Sequence, residues 1–162
     1  MSRKRTHRKY QPGMHPLDLL AACRPMSARQ VQGCMLRIHD AFAQLRGGGA
    51  DQDLFDRIAV VINVGLIRSE QIGQQGVELF QAAQKALMEA ARIRCDHGRF
   101  GFTGPGLETL KEAIALYEEI LAASSPRQMN LAQDEVLRRI RMGEVYCPEA
   151  LAVDTNTNRM AA

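Results

Sequence analysis

Four cysteines and four histidines are the side chains best suited to metal binding or nucleophilic chemistry, and their spacing offers little of either. Cys95-Asp96-His97 brings a thiol and an imidazole close together. A zinc site takes four ligands, usually as two close pairs. Cys23, Cys34 and Cys147 each stand alone, and His7, His15 and His39 are dispersed, so the chain holds no second pair. Cys34 and His39 fall on one helical segment, but a separation of five residues rotates them well apart on its surface. No Gly-x-Ser-x-Gly turn is present to expose a serine nucleophile.

Carboxylates are also unpromising as acid–base pairs. Asp53 and Asp56 share a helix face, as do Glu108 and Glu112, and Glu118 adjoins Glu119. General acid–base work needs environments that split two pKa values, whereas these acids fall on outer, solvated faces. The Glu-x-x-His motif of di-metal bundles does not occur. Gly47-Gly48-Gly49 precedes a helix, as an anion-binding turn does, but it lacks the Lys-Ser/Thr of a P-loop and a preceding strand. No catalytic residue, metal ligand or cofactor is therefore expected.

One feature rises above this background. Arg3, Lys4, Arg5, Arg8 and Lys9 fall within the first ten residues, with His7 among them, Tyr10 beside them and no acid before Asp18. The net charge is +3, and without those five cations the chain holds 16 basic residues against 18 acidic ones. The basic character thus resides in a short arm on a near-neutral body. Five cations can neutralise up to about five phosphates, giving a salt slope of roughly −4 to −5 on duplex DNA. Tyr10 is placed to stack on a base or ribose. Arg3, Lys4, Arg5, Arg8, Lys9 and Tyr10 are accordingly the expected DNA- or RNA-binding residues, or the contacts to a nucleic-acid-associated partner. Arg92, Arg94 and Arg99, and Arg138, Arg139 and Arg141, are further basic clusters on the body. The competing expectation is an adaptor or inhibitor that binds protein through the body, a homo-oligomer being one form of it, with the arm a solvated tail.

The elements that must carry these residues are helical. Apolar residues make up 46% of 162, enough for one folded domain, and aromatics are only 5% with no Trp. Pro12, Gly13 and Pro16 block regular structure in a flexible arm over residues 1–16. Leu17 to Cys23 allows one short helical turn, ended by Arg24-Pro25. The capping box Ser27/Gln30 starts the first main helix, with Val31, Cys34, Met35, Ile38, Phe42 and Leu45 as its apolar stripe. The glycine triplet ends it.

A second helix begins at Asp51 or Asp53 and holds the run Ile58 to Ile67, apolar on nearly every face. Its β-branched content also suits a strand, but no credible partner strand exists. A third helix spans about Gln75 to Cys95, with Leu79, Phe80, Ala83, Leu87, Ala90 and Ala91 inward. Arg99 to Gly106 is a turn-rich connector whose Phe100 and Phe102 could plug one end of a bundle. The fourth helix starts near Pro105 on the pattern Leu107, Leu110, Ile114, Tyr117, Leu121. The fifth is capped by Ser125 with Pro126 and Gln128, turns Met129, Ala132, Val136, Leu137 and Ile140 inward, and stops at Gly143.

The expected fold is all-α: a compact bundle of about five helices over residues 17–151, a flexible basic arm before it, and a disordered tail over 152–162. No apolar run approaches the roughly 20 residues of a membrane span, and no secretion signal follows the basic start. A soluble cytoplasmic protein with reduced thiols is expected.

The stretch Arg8-Lys9-Tyr10-Gln11-Pro12-Gly13-Met14-His15-Pro16, followed by Leu17 to Cys23, resembles the start of small uncharacterised proteins carried in proteobacterial prophages and other mobile elements. The resemblance covers roughly the first quarter of the chain. It implies a bacterial cytosol and an accessory role in phage gene control or host interference, and it carries no functional residue over.

Overall fold

In a computed structural model, residues 21–143 are described, and they form an all-α bundle. The helices are α1 (Ala28–Arg46), α2 (Gln52–Ser69), α3 (Gln74–His97), α4 (Gly104–Ala123) and α5 (Pro126–Met142). Ala21 and Ala22 are also helical. The expected arm over residues 1–16, with all six expected nucleic-acid contacts, and the tail from 152 lie outside the described residues.

Local chemistry sets each boundary. Both capping boxes form: Ser27 and Gln30 close reciprocally at α1, and Ser125 and Gln128 at α5. Asp51 caps α2, its carboxylate accepting from the Leu54 N–H at 2.9 Å, and Asp53 lies in the first turn. Thr103 caps α4 ahead of Pro105. Gly98 ends α3 in the left-handed region, φ 73°, which admits a glycine at little steric cost. At the start of α3, Gly73 is the N-cap and Gly76 sits inside the first turn. A side chain at Gly76 would meet the buried Ser69 Oγ, so this glycine serves the close approach of α3 to the end of α2.

α2 is the axis of the bundle and packs against each of the other four helices. Every residue from Val61 to Ser69 is buried, which is why its apolar run has no single face. No strand occurs among the described residues. Asn63, in the middle of that run, is buried with its Oδ1 accepting from Gln84 Nε2 of α3 at 2.7 Å, so its polar group is matched. Gly65 lets the fully buried Phe80 ring lie against the α2 backbone.

The inward stripes follow the pattern with one correction. Phe80, Ala83, Leu87 and Ala90 of α3, and Leu110, Ile114, Tyr117 and Leu121 of α4, are buried. Cys34, Phe42, Leu79, Ala91 and Leu107 sit half-buried at the core edge. Leu137, expected inward, is 52% exposed. α5 packs chiefly on α2, so one helix covers only the narrow strip of Met129, Ala132 and Val136. Burial pushes the Tyr117 hydroxyl up to about 12, with the neighbouring Cys34 thiol adding to the shift.

Candidate functional site

Two groups of cations on the body have different fates. In the first, Arg139 of α5 reaches across to Glu70 beyond the end of α2, with both terminal nitrogens 2.6 Å from its carboxylate oxygens. Its Nε also donates to Glu135 at 2.9 Å. Arg138 grips the same Glu135 through two nitrogens, at 2.7 and 2.8 Å. Hydrogen bonds from Arg138 and then Arg139 hold the Glu135 carboxyl at about 2, and those that Arg139 donates to Glu70 and then Glu135 raise its guanidinium further above its ordinary range. These charges tie α5 to α2, and little of them is left for a partner.

The second group lies at the end of the bundle where α1 and α3 finish. Arg46 is the last residue of α1 and His97 the last of α3. Cations there complement the negative ends of the two helix dipoles. The left-handed turn at Gly98 then swings Arg99 and the Phe100-Gly101-Phe102 connector across the same end. Phe100 is buried and stacked on Phe55, with ring centres 4.2 Å apart and planes 5° off parallel. Arg94 lies 4.5 Å over the Phe100 ring and hydrogen-bonds Gln52, so it serves the packing. Phe100 thus fulfils the expected plug, while Phe102 is half-buried at the rim.

A cavity of about 400 Å³ opens between these parts. Leu45, Ile93 and Phe100 supply apolar lining, Arg46, His97 and Arg99 supply the polar rim, and no acid lines it. Arg46 and Arg99 are exposed and make no hydrogen bond or ion pair among the described residues. The glycine turn beside them is no anion cradle. Its three N–H groups donate to the carbonyls of Ala43, Leu45 and Gln44. An anion at this end would be held by side chains alone.

The candidates for other chemistry are not brought together. Cys95 and His97 are both exposed, and no group of three or more His, Cys, Asp or Glu converges among the described residues. Cys34 is half-buried and His39 exposed. Asp53, Asp56, Glu108, Glu112 and Glu119 are exposed, and Glu118 is half-buried. Cys23, Cys34 and Cys95 are free thiols. No helix among the described residues is long and apolar enough to cross a membrane.

Sequence reasoning found Arg99 but not Arg46, whose only signal is a cation preceding the glycine triplet. It also passed over Arg68, a charge immediately after the apolar run of α2. No protein-family model, curated protein or solved structure matches this chain.

Proposed function

We infer that this protein is a non-enzymatic accessory protein of a phage or mobile element. It contacts nucleic acid, or a nucleic-acid-associated partner, through the arm residues Arg3, Lys4, Arg5, Arg8, Lys9 and Tyr10. The observation that carries this reading is charge segregation: five cations in the first ten residues, and fewer basic than acidic residues in the remainder. The open end of the bundle supports it. There Arg46 and Arg99, without partners among the described residues, flank a half-buried Phe102 on a lining free of acids. Cations beside an aromatic ring suit a phosphate backbone with its bases.

The test is equilibrium binding of generic duplex DNA and single-stranded RNA to the full chain at low salt, compared with an Arg46→Ala/Arg99→Ala variant. The double variant binds more weakly, and its log K against log salt slope is shallower by about 2 on duplex DNA. Absence of binding by the intact chain at low salt overturns the reading.

A second reading has its own observation. Of six large apolar side chains exposed among the described residues, Leu131, Leu137 and Met142 all lie on α5. They favour an adaptor or inhibitor that engages protein through the helical body, and self-association is one form of it. Sedimentation of the full chain beside a Leu137→Ser/Met142→Ser variant separates the homo-oligomer form from a monomer.

A further inference from the structure

We propose that the cavity between the end of α2 and α5 is a binding site for a small monocarboxylate with an apolar body, anchored by Arg68. This goes beyond the nucleic-acid reading and concerns a different part of the molecule. Arg68 is 8% exposed, and its guanidinium has no carboxylate partner among the described residues. One terminal nitrogen donates to the Gln71 side-chain oxygen and the other to Ser124 Oγ at 3.2 Å. Its Nε–H is buried without an acceptor. Both partners are neutral, so a buried positive charge is left without a directly paired carboxylate among the described residues. A buried ion is costly to hold unless it is paired.

The surroundings narrow the class of ligand. Arg68 lines a cavity of about 380 Å³, within the size range of small-molecule sites. Ile67 and Leu131 offer it apolar surface, and Leu131 is 58% exposed, so a ligand seated here would cover it. Glu70 and Glu135 also line the cavity, each already bonded to Arg139. Their charges disfavour any anion in proportion to its charge, so a multiply charged phosphate is disfavoured more than a single carboxylate. One carboxylate matches the one uncompensated guanidinium, whose planar N–H groups fit carboxylate geometry. The polar and apolar parts of the site thus ask for an amphipathic monoanion.

The experiment titrates the full-length protein with butanoate, hexanoate and octanoate, with hexanamide as the uncharged analogue and inorganic phosphate as the competing anion. Binding is read by calorimetry and by NMR shifts of the α2 and α5 amides. Hexanoate is expected to saturate and to move signals around Arg68 and Leu131. Hexanamide should bind roughly ten- to a hundredfold more weakly, the loss of one charge-assisted contact.

Arg68→Gln should abolish the preference for carboxylate over amide. Because Arg68 also holds Ser124, its loss can disturb folding, so Leu131→Glu supplies a second test. It blocks the mouth from an exposed position, and it should remove hexanoate binding with the helical spectrum unchanged. No saturation by any carboxylate up to about 10 mM, weaker than a specific site of this size warrants, overturns the proposal. So does phosphate binding as well as hexanoate, or a carboxylate preference that survives in folded Leu131→Glu.

Discussion

Two glycines in helix interiors illustrate how surroundings decide the worth of a residue. Gly33 lies on the exposed face of α1, and a methyl group added there meets nothing within 4 Å. Gly33→Ala should raise stability by about 0.5–1 kcal/mol, the helix-propensity difference. At Gly65 the same methyl would run into the Phe80 ring. That ring is fully buried and has nowhere to go. Overpacking costs typically 1–3 kcal/mol and outweighs a propensity gain of about 1, so Gly65→Ala should be less stable than the parent. Urea midpoints of the two variants check both signs. The sequence shows two glycines inside helical patterns but not which of them faces an aromatic ring. That depends on how α3 meets α2, which no local pattern contains.

Among the elements, α5 shows how far pattern reading reaches. Its start is fully legible, because Ser125, Pro126 and Gln128 satisfy backbone needs within one turn. Its inner face is legible only in part. Met129, Ala132 and Val136 are buried, while Leu137 is exposed because α5 rests chiefly on one neighbour. α2 makes the opposite case: apolar on all sides, it surrenders its central position to composition alone. The ion-pair cluster on α5 was visible only as a row of arginines, since Glu70 lies 69 residues from Arg139.

That cluster carries a pH prediction. The Glu135 carboxyl is depressed from 4.5 to about 2 by Arg138 and Arg139. A depressed carboxyl contributes stability above the ordinary carboxylate pKa and loses it as the pH falls through the folded value. Glu135→Gln should therefore melt slightly below the parent at pH 7, with the gap narrowing below 4.5 and closing near 2. Thermal melts across that range test it. A gap that widens in acid would show that the arginines do not hold the carboxylate.

For the whole molecule, the functional reading rests on where charge falls in the sequence: five cations in the first ten residues, and fewer basic than acidic residues in the remainder. The helical bundle was readable because caps, glycines and apolar spacing agree along the chain, and consistency across levels is what specifies a fold. The bundle-end cavity and the Arg68 cavity were not readable, because each is assembled from segments distant in sequence. The most direct measurement is the salt dependence of duplex DNA binding by the full chain and by a chain lacking residues 2–9. The account predicts that this deletion makes the slope of log K against log salt shallower by roughly 4 to 5. An unchanged slope, or no binding by the intact chain at low salt, would contradict it.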